Sequence, residues 1–131
     1  MIASIAGVVD VKKVGDGPPK LVLEVPHGAT LRTHFDALRA QLRGPFPDDL
    51  VDFFFVNTDV GAPEVALACA EAFASAASAS ALVLRCAIPR TFIDTNRIID
   101  ATTKPSASSA TAMTPGVVRY VTDPADLALL F

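Results

Sequence analysis

The run from Leu21 to Val25 is apolar except for Glu24 and is closed by Pro26. That is the pattern of a short strand. A second run, Ala81 to Ala87, is continuous and apolar except for Arg85, which suits a parallel strand buried on both faces. Between the two runs the apolar spacing changes to three and four. Phe35, Leu38 and Leu42 predict an amphipathic helix over 33–43, with Thr33 as its N-cap and Asp36 three residues on. Gly44-Pro45 stops that helix, and Pro47-Asp48-Asp49 opens a short one carrying Leu50, Phe53, Phe54 and Val56. After the loop Asn57-Thr58-Asp59-Val60-Gly61, Pro63 fits the first turn of a helix running to about Ala77, with Glu64 near its positive end. Val65, Cys69, Ala72, Phe73 and Ala76 form its predicted inner face.

Before the first apolar run, Ile2 to Val14 alternates loosely and is rich in β-branched residues, which reads as a strand or hairpin arm. Gly15-Asp16-Gly17-Pro18-Pro19 follows it as a turn. Thr102 to Thr114 is low in complexity, Val117 to Val121 is expected to be a further short strand, and Asp123-Pro124-Ala125-Asp126 opens a helix close to Phe131. The order strand, helices, strand predicts a single α/β domain over 1–131, with a mostly parallel sheet flanked by helices. In such sheets ligands bind beyond the carboxyl ends of the strands. The loops at His27 and at Asp94 to Arg97 both follow strands, so they are expected to open on the same edge of the sheet.

Composition removes several function classes. The net charge is −3 and the 11 Lys and Arg residues form no run, so neither a nucleic acid nor an anionic membrane surface is an expected partner. The longest apolar stretch, Val65 to Ala77, follows Glu64 and is broken by Glu71, so it is not a membrane span. Met1 to Gly7 lacks the basic start and long apolar centre of a secretion signal. Cys69 and Cys86 are too few and too far apart for a disulfide framework or a zinc knuckle; they read as small buried hydrophobes, consistent with a reduced, cytoplasmic setting. With two histidines in the chain, a complete His-rich metal site cannot be built from it.

Three places could carry chemistry. In Val25-Pro26-His27-Gly28 an imidazole follows a strand, held by proline on one side and left open to a ligand by glycine on the other. In Thr58-Asp59 a carboxylate precedes the middle helix, where it either caps the helix or offers oxygen to a metal beside His27. In Arg90-Thr91-Phe92-Ile93-Asp94-Thr95-Asn96-Arg97 two arginines and an Asp-x-Asn-Arg cluster share one loop. An arginine fork there suits a substrate carboxylate, and the plainer alternative is that Asp94 pairs with Arg90 or Arg97 to pin the loop. His34 lies in a helical pattern and reads as a surface residue. The chain has no glycine-rich phosphate loop, no Gly-x-Ser-x-Gly and no His-Glu-x-x-His.

Taken together, these motifs, from about residue 20 to 100, resemble the N-formylglutamate amidohydrolase family. Met113-Thr114-Pro115-Gly116 adds to the resemblance with less weight. The resemblance implies a core like that of the zinc carboxypeptidases (the phosphorylase/hydrolase-like α/β class), one zinc, and hydrolysis of an amide next to a carboxylate-bearing amino acid such as N-formyl-L-glutamate. By position it makes His27 and Asp59 metal ligands. It makes Asn96 and Arg97 the grip on a substrate carboxylate, and Arg90 the group that steadies the developing oxyanion. Two departures stand out: Gly28 follows His27 where many members have serine, and Val60 follows Asp59 where several have an aromatic residue. Members are longer chains, and the resemblance implies a further His ligand and a catalytic Glu that are not in these 131 residues. The chain is therefore expected to be the N-terminal half of such an enzyme, its site completed by a C-terminal half or a second copy. The rival readings are a peptidoglycan amidase or carboxypeptidase-like hydrolase, and a non-catalytic domain that binds carboxylate ligands or a partner chain through Arg90 and Arg97.

Overall fold

The computed structural model describes residues 3–96 and 120–130. Three strands, β1 (Val9–Val14), β2 (Pro19–Val25) and β3 (Ser80–Cys86), make one sheet in the order β1-β3-β2. Among the described residues four helices accompany it: α1 (Arg32–Arg39), α2 (Leu50–Val56), α3 (Ala62–Ala77) and α4 (Pro124–Leu130). β2 and β3 are parallel, as expected of strands joined through helices, and β1 is antiparallel to β3. The sheet is thus mixed, not mostly parallel.

The turn after β1 explains the topology. Successive antiparallel strands joined by a short Gly-Pro loop usually pair as a hairpin. Here β3 lies between them, so residues 15–18 must span two strand spacings, about 10 Å. They do so by wrapping round the start of β3. Ser80 donates its hydroxyl proton to the Gly17 carbonyl at 3.0 Å. A Cβ on Gly15 would fall 2.6 Å from the Ala79 carbonyl oxygen and 2.8 Å from the Ala74 Cβ, and the backbone there has φ of +82°, so glycine is required twice over.

Two apolar clusters hold the chain. In one, α3 lays Ala62, Ala66, Ala70 and Phe73 on Leu21, Leu23 and Val25 of β2 and on Ala81 and Val83 of β3. This is a different stripe from the predicted one: Val65 is 63% exposed, Cys69, Ala72 and Ala76 are also exposed, and of the predicted face only Phe73 packs inward. In the other cluster Phe35 of α1, Leu50 and Phe54 of α2, Phe92 and Val121 meet, with Leu127 and Leu130 of α4 against them. Phe53 and Phe55 flank Phe54 but are exposed, because a helix turns neighbouring residues apart.

The first helix differs from expectation at both ends: it begins at Arg32 and stops at Arg39, four residues short of the expected 43. Leu31, not Thr33, is the N-cap of α1, and the half-buried His34 turns back so that its Nδ1 accepts the Leu31 N–H at 3.2 Å. Of the further short strand expected over Val117 to Val121, Tyr120 and Val121 are not in a strand and Val117 to Arg119 lie outside the described residues. Thr102 to Thr114 also lies outside them, as does Met113-Thr114-Pro115-Gly116. Among the described residues no helix is long and apolar enough to cross a membrane.

Candidate functional site

β2 ends at Val25, and Pro26 cannot extend the ladder, so the chain leaves the sheet at His27. β3 runs parallel beside it and ends at Cys86. Both loops therefore emerge at one rim. There Pro89-Arg90-Thr91-Phe92 makes a turn, with the Phe92 N–H on the Pro89 carbonyl at 3.0 Å, and delivers Asp94 to the imidazole.

His27 lies between two carboxylates. Its Nε2 is 2.7 Å from Asp94 Oδ1, and its Nδ1 is 3.0 Å from Asp59 Oδ2. Asp59 comes from the loop before α3. It does not cap that helix: Gly61 is the N-cap, with φ of +91°, and the Asp59 carboxylate faces His27 instead. The three side chains differ in access to water. His27 is 9% and Asp94 4% exposed, whereas Asp59 is 51% exposed, so the site opens on the Nδ1 side.

Asp94 is a well-furnished anion. Its Oδ1 also accepts the Asn96 N–H at 3.0 Å, and Oδ2 lies 3.3 Å from Arg90 Nε. Burial alone would push its carboxyl up. The His27 contact, the Asn96 N–H and the charges of His27 and Arg90 outweigh burial and hold it below the ordinary carboxylate range. The Arg90–Asp94 pair is the loop-pinning alternative weighed from sequence, and it commits at least one face of the half-buried Arg90 guanidinium to Asp94. Asn96 is exposed and holds Asp94 through its backbone. Arg97 lies outside the described residues, so the expected approach of its guanidinium to His27 does too.

Both partners of His27 are carboxylates, and ionised carboxylates only accept hydrogen bonds. A neutral imidazole has one N–H, so it satisfies one of them. The other nitrogen then faces an anion with a bare lone pair. Either a second proton or a cation between nitrogen and carboxylate resolves this. The more exposed pair, Nδ1 and Asp59, is where a cation can enter. Two ligands on a tetrahedral zinc, at the usual bond lengths, sit about 3.4 Å apart. The 3.0 Å between Nδ1 and Asp59 Oδ2 is the length of an ordinary hydrogen bond, so an ion shared by the two would need the exposed Asp59 carboxylate to swing outward. Asp94, buried behind Nε2, would favour the tautomer with its hydrogen on Nε2 and leave the Nδ1 lone pair toward Asp59. An imidazole nitrogen and a carboxylate oxygen are donor types that zinc takes, and there are two of them on that side. Asp59 and Asp94 bracket opposite ring nitrogens, so they cannot share one ion, and among the described residues no group of three or more His, Cys, Asp or Glu side chains is arranged to hold a metal.

Sequence reasoning singled out His27, Asp59 and Arg90, and the structure brings them together with Asp94. It missed that Asp94 belongs to His27. It also missed the hydroxyls beside each aspartate: Thr95 Oγ1 donates to the Pro26 carbonyl at 2.7 Å, and Thr58 Oγ1 to the Ala29 carbonyl at 3.1 Å. A threonine adjoining each candidate aspartate was the signal available. Comparison of the chain with protein-family models, with curated proteins and with solved structures finds no match.

Proposed function

We propose that this chain supplies His27 and Asp59 to a zinc-dependent amidohydrolase that cleaves the amide of an N-acyl acidic amino acid, of which N-formyl-L-glutamate is the type. The observation that carries the reading is an imidazole whose two nitrogens both face carboxylates, with the more exposed one open to a cation. The motif resemblance from about residue 20 to 100 supplies the substrate class.

His27 Nδ1 and Asp59 would hold the metal. When bound there, zinc would supply Lewis acidity toward the scissile carbonyl and water. Asp94 keeps the Nε2 proton on the far side of the ring, so Nδ1 presents its lone pair. Asn96 and Arg97 hold the substrate carboxylate, which orients the amide toward His27. The resemblance gives Arg90 the charge developing on the carbonyl oxygen, a role that would need its guanidinium to leave Asp94 on the Nε2 side of the ring. One water is consumed, the C–N bond breaks, and formate and glutamate leave. The third ligand and the general base are the His and Glu that the resemblance places outside these residues, so the 131-residue chain by itself binds zinc weakly and turns over little.

Zinc titration of the purified chain by calorimetry tests this. Weak, reversible binding that drops at least tenfold in His27→Ala and in Asp59→Asn supports the reading. Equal zinc uptake by the wild type and His27→Ala overturns it. Binding of glutamate or succinate that survives His27→Ala and needs no zinc favours the carboxylate-binding domain instead.

A further inference from the structure

β3 is apolar after its first residue, Ser80, except at Arg85. An aliphatic side chain at this half-buried position would avoid the cost of desolvating a guanidinium. What the guanidinium adds is two directed donors. Its Nε donates to the Gly28 carbonyl at 2.7 Å and its Nη2 to Thr30 Oγ1 at 3.2 Å. Both acceptors lie in the loop that begins with His27. We infer that Arg85 is a positioning residue for His27: from the neighbouring strand it fixes the backbone just after the imidazole, and so the angle at which Nδ1 meets Asp59.

Gly28 shows how closely the two are fitted. A Cβ on it would fall 2.5 Å from Arg85 Cγ and 2.8 Å from the Cys86 carbonyl oxygen. The arginine stem thus occupies the space a side chain after His27 would need, which accounts for glycine here. The rest of the loop is held in the same way. The Pro26 and Ala29 carbonyls accept from Thr95 and Thr58, each the neighbour of an aspartate on His27. Three carbonyls around the imidazole are therefore fixed by three side chains, and Arg85 is the one that is not adjacent to a carboxylate of the site. It touches no side chain of His27, Asp59 or Asp94 through its hydrogen bonds, which end on the loop at Gly28 and Thr30.

The metal-affinity consequence rests on the zinc reading, while the effect on the ring does not. The test compares the wild type with Arg85→Met, Arg85→Lys and Thr30→Val. Imidazole ¹⁵N shifts are recorded in the metal-free chain, zinc affinity by calorimetry and stability by urea. Methionine keeps the apolar stem and removes both donors. The expected result is a changed His27 ring shift in Arg85→Met and roughly ten- to hundred-fold weaker zinc binding, as for removal of groups behind a ligand. Lysine, with a single nitrogen in place of the guanidinium fork, recovers part of both. Thr30→Val, which takes away only the Nη2 acceptor, shifts the ring less but in the same direction, and it decides the matter if Arg85→Met does not fold. A lowered urea midpoint in Arg85→Met with His27 shifts and zinc affinity unchanged overturns the inference. If the wild type binds no zinc, the functional reading fails separately, and the ring shift alone then decides the role of Arg85.

Discussion

Asp126 shows what a single buried carboxylate contributes. It is 2% exposed, and its two oxygens accept the Arg43 N–H at 2.7 Å and the Gly44 N–H at 2.9 Å. It thereby fastens α4 to the turn that follows α1. Burial pushes the carboxyl up, but the two N–H donors and the charges of Arg43 and Arg39 outweigh burial and leave it below the ordinary value of 3.8. A group whose value is depressed on folding stabilises the fold fully above its unfolded value and loses that contribution as pH falls through the folded one. The wild type should therefore lose urea resistance as pH drops below about 4. Asp126→Asn, which keeps one acceptor and loses the charge, should start lower and show a flatter curve over that interval. Parallel curves for the two proteins would contradict this. Gly28→Ala makes the complementary point about space. Arg85 Cγ can shift, but the Cys86 carbonyl 2.8 Å from the new Cβ is backbone. The expected cost is about 1–3 kcal/mol in chemical denaturation, the usual range for overpacking.

At the scale of elements, strands and helix positions were legible and one helix face was not. β2 and β3 announce themselves as apolar runs ended by Pro26 and by the loop before Pro89, and their parallel pairing follows from the helices between them. The shared rim of the His27 and Asp94 loops follows in turn. β1 was legible as a strand but not in its place, because nothing local to Gly15-Asp16-Gly17-Pro18 says that β3 will enter between β1 and β2. α3 misleads for a different reason. Alanine dominates it, so the hydrophobic contrast between its faces is slight, and Val65 and Cys69 pull the eye to the wrong stripe. The sheet prefers the smallest side chains there, since Ala70, fully buried, lets the helix approach Val25, Ala81 and Val83 closely. Ala70→Leu should therefore cost about 1–3 kcal/mol by overpacking. Cys69→Ser, one residue along on the exposed side, should change stability by no more than about 0.5 kcal/mol. Urea midpoints in that order confirm the phase of α3, and the reverse order would restore the stripe expected from sequence.

On the scale of the whole molecule, the loop after β3 joins the apolar cluster of α1, α2 and α4 to the site. Phe92 is fully buried, stacked on Phe35 at 5.2 Å between ring centroids and edge-on to Phe46 at 5.6 Å. Two residues later the same loop presents Asp94 to His27. The cluster of α1, α2 and α4 therefore sets how far the carboxylate reaches toward the rim of the sheet. Phe92→Ala removes the ring from a packed site and should cost about 3–5 kcal/mol, the usual penalty for emptying a buried aromatic position. That is a large share of the total stability of a small domain, about 5–15 kcal/mol. A conservative Phe92→Leu should cost less and leave the chain folded. In that variant the loop is anchored by a smaller, differently shaped group, so Asp94 should hold Nε2 less firmly. The His27 ring ¹⁵N shifts should then move toward those of Asp94→Asn, and zinc affinity should fall with them. Unchanged ring shifts in Phe92→Leu would mean that Arg90 and the Asn96 N–H hold Asp94 unaided, and that the aromatic cluster serves stability alone.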